Sequence, residues 1–214
     1  TILSLMSVGW GQSEDFLLYN EDTGEPIFDN QNIVERDLGD IIDECLLSLT
    51  GVNSFGANDW YQGSLWYAFY EYDYDYYDYS EEAKLVVKIN TESCMIEEEW
   101  DISDYVDAVC GLEWIDNYLW IADCGTPDAL HKFNNEGELV ETFVTGVDGT
   151  VGVAWDGQHI WYISFRTDLL YKIDSITYET IATISPGLDK PCHLEWIDGY
   201  LWTIERSIHE TDYA

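Results

Sequence analysis

The chain has 214 residues, with 43 acidic side chains against 8 basic ones and a formal net charge of −35. Such a surface repels nucleic acid and anionic membranes, because either partner needs counter-charge that the chain lacks. No apolar run approaches the roughly 18 residues of a membrane span, and the 15% aromatic content excludes the disorder that high charge alone would favour.

The acidity itself has three readings: adaptation to high salt, an extracellular surface that gathers calcium, or plain solubility of a secreted domain. The length suits one closed domain, residues 1–214, with a sizeable core.

One spacing organises the chain. Tryptophans stand six residues apart in Trp60/Trp66, Trp114/Trp120, Trp155/Trp161 and Trp196/Trp202, with Trp10/Phe16 as a degenerate first copy. The last three copies begin 41 residues apart, and a period of about 40 residues marks radial or solenoid repetition.

In chain order, residues 1–5 have the composition of a spare outer strand. Residues 6–40 make a first blade, with Phe28-Asp29 in the place of its third strand and residues 33–38 in the place of its fourth. The link over residues 39–58 is long and accommodates a short helix at 40–47. The second blade spans 41–108 and carries an insertion at 71–82 between its second and third strands.

Blades at 109–149 and 150–190 follow, and residues 191–214 begin a fifth. Each of the last three opens with two apolar runs around Asp116-Asn117, Gly157-Gln158 or Asp198-Gly199, residue types that supply the positive φ of a tight hairpin. Third runs lie at 86–90, 130–134 and 170–174, and fourth runs at 95–97, 139–143 and 180–184.

Four short antiparallel strands per unit is the pattern of a propeller blade. The expected fold is therefore all-β: a five-bladed β-propeller of four-stranded antiparallel blades. Its last blade is completed by residues 1–5, since closure alone removes exposed edges. The alternative is a chain cut from something longer.

The residue before the first Trp of each blade is Gly9, Asp59, Glu113, Ala154 and Glu195. If first strands line a channel, Asp59, Glu113 and Glu195 face one axis. Like charges so placed raise one another's pKa or recruit a cation, and an oxygen-only set suits Ca²⁺. The other reading points these side chains sideways between blades. His193, beside Cys192 and Glu195, is a candidate for acid–base work, against the alternative of a hydrogen-bonded structural histidine. His131, His159 and His209 have no metal-ligand spacing.

The insertion offers Tyr72, Tyr74, Tyr76 and Tyr77 as an exposed contact loop for a protein or small ligand, or as a hairpin extension packed on its blade. It lacks the central Gly and distant Glu of an EF-hand. Lys88, Lys132 and Lys172 share one place on the third strands, where a snorkelling amine neutralises nearby acids.

Cys110 and Cys124 lie together at the open end of one hairpin, as a disulfide or as two buried thiols. Cys45, Cys94 and Cys192 have no partner that spacing names. A carbohydrate-binding propeller needs exposed aromatics between blades, whereas the paired Trp residues read as buried.

The unit Gly-[Leu/Val]-x-Trp-x5-Trp, followed by Leu-x-Lys-[Ile/Phe]-[Asp/Asn], resembles the repeat of secreted bacterial and archaeal propellers of the YncE-like, quinoprotein-like and glutamine cyclotransferase-like group, over about residues 50–206. The stretch from His193 through Glu195 to Gly199 is similar to the Asn-Glu-Leu-Glu-aromatic segment of glutaminyl cyclotransferases, with Cys192-His193 in place of Asn-Glu. Glu195 is the one residue that this resemblance carries over.

Two functions follow as expectations. The first is a non-enzymatic extracellular or cell-surface propeller, a rigid interaction or assembly module stabilised by a cation and able to self-associate through its terminal blade. The second is a cyclotransferase- or lyase-type enzyme working at the channel mouth through Glu195, Glu113 and His193.

Overall fold

Left-handed two-residue turns set the register of the hairpins. In the computed structural model, which describes residues 54–71 and 84–205, both residues of Gln62-Gly63, Asp116-Asn117 and Asp198-Gly199 have positive φ. That twist matches the flanking strands. The chain divides into two compact units, Thr1–Glu44 and Cys45–Ala214, and every described residue belongs to the second. The first blade, the closing strand at 1–5, the helix at 40–47 and the Tyr72, Tyr74, Tyr76 and Tyr77 loop lie outside the described residues.

The described elements are all strands. β1 (Ser54–Tyr61), β2 (Ser64–Glu71), β3 (Lys84–Asn90) and β4 (Met95–Asp101) form one antiparallel sheet in sequence order. β5 (Val109–Ile115), β6 (Tyr118–Asp123), β7 (Ala129–Phe133) and β8 (Leu139–Val144) form the second. β9 (Thr150–Trp155), β10 (His159–Ser164), β11 (Leu169–Asp174) and β12 (Thr180–Ile184) form the third. β13 (Glu195–Ile197) and β14 (Tyr200–Trp202) make a two-stranded hairpin.

First strands pack in succession, β5 against β1, β9 against β5 and β13 against β9. Consecutive four-stranded meanders stacked through their first strands make a propeller-type fold.

The six-residue Trp spacing has a physical cause here. In each hairpin the second Trp stands opposite the residue just before the first: Asp59↔Trp66, Glu113↔Trp120, Ala154↔Trp161 and Glu195↔Trp202. Paired residues share a face, so the two Trp rings of a blade point to opposite faces. Accordingly Trp66 and Trp114 share one core cluster, Trp120 and Trp155 the next, and Trp161 and Trp196 the third. The rings of Trp66 and Trp114 meet edge to face at 4.8 Å. Inner strands are buried on both faces, which removes the in/out alternation of a half-exposed strand.

Two rings depart from the expected burial. Trp60 is 57% exposed and Trp202 58% exposed. They are the outward members of the first and last described hairpins, and no described sheet faces them.

The glycine of the repeat marks close approach. A Cβ on Gly111 would come within 2.9 Å of the Gly152 Cα, and one on Gly152 within 2.9 Å of the Leu194 backbone N. The shared lysines stand directly across from the second Trp, Lys88↔Trp66, Lys132↔Trp120 and Lys172↔Trp161. Their Nζ atoms lie 5.7, 5.4 and 4.9 Å from those ring centroids, a cation–π contact on a desolvated ring. Lys88 and Lys172 also meet acids, Glu98 at 3.0 Å and Asp156 at 3.1 Å. Lys132 instead sits over Tyr118 at 4.2 Å.

Cys110 and Cys124 are disulfide-bonded, with Cα atoms 5.9 Å apart. Val109 rather than Cys110 stands opposite Asp123, because Cys110 is the extra residue of a bulge. Cys94, for which spacing named no partner, is also disulfide-bonded.

Candidate functional site

The strands place Asp59 on β1, Glu113 on β5 and Glu195 at the start of β13, each paired with the second Trp of its hairpin. Sharing that face directs Asp59 and Glu113 toward the following sheet. Asp59 Oδ2 accepts the backbone N–H of Trp114 at 2.8 Å. Glu113 accepts the N–H of Trp155. Each tie therefore runs from one blade's carboxylate to the next blade's first Trp. Ala154 has no carboxylate to continue the series, and Glu195 accepts the N–H of its own neighbour, Trp196.

Two of the three groups also feel the charge of the others. Burial, then the charges of Asp59 and Glu195, push the Glu113 carboxyl up to about 10. Burial and the Asp59 charge raise Glu195 to about 7. Burial raises Asp59, against its two backbone hydrogen bonds. Glu113 is 8% exposed, and its Oε2 is buried with no hydrogen-bond partner among the described residues. An ionised carboxylate there is costly, so the group is neutral at pH 7 unless a cation replaces the proton.

Among the described residues, no group of three or more His, Cys, Asp and Glu side chains is arranged to hold a metal. His193 is half-buried, and burial lowers its pKa, which keeps the ring neutral near pH 7. Chemically, the arrangement offers one neutral acid and one carboxyl poised near neutrality.

Two further polar networks escaped the sequence. Asp123 accepts the N–H groups of Asp107, Ala108 and Gly125 at 2.8–2.9 Å, and contacts the His131 ring at 3.3 Å. His131 Nδ1 in turn lies 3.0 Å from Thr142 Oγ1. Burial opposes the Asp123 charge, but the His131 and backbone hydrogen bonds outweigh it and lower the pKa. This acid–imidazole–hydroxyl series pins the loop ahead of β5 to β6, β7 and β8. Its only trace in the sequence is His131 opposite Thr142, visible once the register is known.

Asp156 likewise gathers the N–H groups of Gln158 and His159, the Trp161 indole N–H at 2.8 Å and Lys172. These bonds overcome burial and hold its carboxyl well below the usual range.

No protein-family model matches the chain, and no curated protein matches it. Solved structures do. A Bacteroides caccae protein of unknown function is 6% identical with a TM-score of 0.52, over 72% of this chain and 56% of its own. Myxococcus xanthus glutaminyl cyclase is 14% identical with a TM-score of 0.51, over 71% of this chain and 68% of its own. The computationally designed Ika4 protein is 12% identical with a TM-score of 0.50, over 78% of this chain and 100% of its own. The match spans little more than half of the Bacteroides protein. At these identities the likeness is one of fold.

Proposed function

We propose that the chain is a non-enzymatic, rigid interaction module of propeller type, acting outside the cell or at its surface, in which the inner-strand carboxylates tie blades together. One observation carries this reading: Asp59 and Glu113 each commit an oxygen to the next blade's backbone N–H. A group so engaged is a joint between sheets before it is a catalyst.

The disulfides at Cys110–Cys124 and Cys94 support an oxidising compartment. Five blades are part of the proposal. Exposure of Trp60 and Trp202, the outward rings of the first and last described hairpins, supports further repeats in the fold, which the proposal assigns to residues 6–40 and 1–5. Calcium at Asp59, Glu113 and Glu195 is the competing way to neutralise those carboxylates.

A second reading rests on the separation of Glu113, near 10, from Glu195, near 7. Two carboxyls driven apart are a natural acid and base, and the glutaminyl cyclase shares the fold. Incubation with N-terminal glutaminyl peptides, with ammonia release as the readout, separates the readings. The interaction module releases none above the uncatalysed rate. Turnover that Glu195→Gln abolishes, with the variant still folded, would replace the module by the enzyme.

A further inference from the structure

A cleft of about 530 Å³ opens between the first two described sheets, at the end where their hairpin turns lie. Its volume falls within the roughly 300–1,000 Å³ of small-molecule sites. Trp66 and Trp114 line it, together with Tyr61 and the polar turn residues Gln62, Asn117 and Asn135. We propose that this inter-blade cleft binds a neutral saccharide through the Tyr61–Trp114 platform and the Gln62 and Asn117 amides.

The platform is rigid. Tyr61 lies flat on Trp114, with centroids 4.6 Å apart and planes 7° from parallel. Trp114 is held in turn by Trp66 and Trp100. Tyr61 is half-buried: Trp114 covers one face, and the residue also lines the cleft. A flat aromatic face of this kind suits the C–H side of a sugar ring.

The rim is oriented by the same side chain. Tyr61 Oη donates to Asn117 Oδ1 at 2.8 Å and accepts from Gln62 Nε2 at 2.8 Å. These bonds leave the Asn117 amide N–H groups and the Gln62 carbonyl as donor and acceptor for a ligand's hydroxyls. The Trp114 indole N–H is buried and has no partner among the described residues. It lies out of reach of a ligand in the cleft, so recognition rests on the Tyr61 ring and the amide rim.

Other ligand classes fit less well. Lys88 is the only cationic side chain lining the cleft, and Glu98 and Glu97 hold it at 3.0 and 3.7 Å, so an anion finds no uncommitted charge. A quaternary ammonium needs several open aromatic faces. Here Lys88 covers Trp66, Lys132 covers Tyr118 and Tyr61 covers Trp114. The Asp116 and Glu98 carboxylates in the lining add acceptors that sugar hydroxyls can meet as donors, and choline, as a cationic comparator, checks the preference for a neutral ligand.

This inference rests on the reading of the chain as a binding module, yet the two fail separately. Glutaminyl turnover would end the module reading, whereas absence of saccharide binding would end this inference alone.

The test titrates the full chain with maltohexaose, cellohexaose and chitohexaose, following tryptophan fluorescence and heat. An oligogalacturonate and choline serve as charged comparators. We expect saturable binding of at least one neutral oligomer, and a loss of about tenfold or more in affinity in Asn117→Gly, as one hydrogen bond implies. Glycine suits the φ of +67° at this position, so that variant keeps the turn. Tyr61→Phe, which keeps the platform and removes the hydroxyl, should weaken binding in the same direction. No binding of any neutral oligomer at millimolar concentration, tighter binding of either comparator, or unchanged affinity in Asn117→Gly would overturn the assignment.

Discussion

Replacing Glu113 by Gln changes how stability depends on pH, and the structure sets the sign. Glu113 ionises at its ordinary value of 4.5 when unfolded and at about 10 when folded. Between those values the native state holds a proton that the unfolded state releases, so stability is full below pH 4.5 and falls as pH rises toward 10. The slope for one proton is about 1.4 kcal/mol per pH unit, and from pH 5 to 8 the loss reaches about 4 kcal/mol at most.

Gln keeps the carbonyl that accepts the Trp155 N–H and has no charge to suppress. The variant should therefore gain on the wild type as pH rises, by about 1–4 kcal/mol over that interval once local relaxation is allowed for. Urea denaturation of both proteins at pH 5, 6, 7 and 8 reads this directly, first with chelator and then with calcium. Parallel curves for the two proteins in chelator would refute the neutral-acid account. A wild type that becomes more stable with rising pH only when calcium is present would identify the cation as the neutralising partner.

Three other outcomes follow from particular contacts. Gly152→Ala should cost about 1–3 kcal/mol in the urea midpoint, because its Cβ meets the Leu194 backbone at 2.9 Å and that backbone does not yield; an unchanged midpoint would mean that β9 and the segment ahead of β13 are not in close contact. Removing the Cys110–Cys124 bridge by double Ala substitution releases a loop with sequence separation 14 and should cost about 3 kcal/mol, seen as a lower Tm that reductant does not lower further through this bond. Asp156→Asn should cost about 1–3 kcal/mol at pH 7. The Asp156 carboxyl is depressed from 3.8, so its contribution is present above that pH and is lost as acid protonates it. The difference between Asp156→Asn and wild type should therefore shrink well below pH 4, and a gap of constant size would contradict the assigned network.

Much of the fold is legible because two periodicities interlock. The six-residue Trp interval places one ring on each face of a hairpin, and the 41-residue interval brings the second Trp of one blade to the first Trp of the next. The turn residues Asp116-Asn117 and Asp198-Gly199 identify themselves by their tolerance of positive φ. The same alternation, followed one residue further, already implies that Asp59 and Glu113 share a face with the second Trp and so reach toward the next blade.

What composition and spacing do not reveal is which backbone group waits there, since the partner N–H groups of Trp114 and Trp155 are 55 and 42 residues away. The cleft is hidden for a related reason. Its lining joins the turns of two different blades, and only the stack of Tyr61 on Trp114 turns a ring that reads as core into a platform. The bulge at Cys110 escaped because an extra residue in one strand leaves no mark in a hydrophobic pattern.

Glu113 ties its blade to the next as a buried, neutral acid at pH 7. The most direct measurement is the infrared difference spectrum at pH 7 between wild type and Glu113→Gln, in chelator. The account predicts a carbonyl band of a protonated carboxyl in the wild type that the substitution removes. A difference spectrum carrying only carboxylate bands would show Glu113 ionised and contradict it.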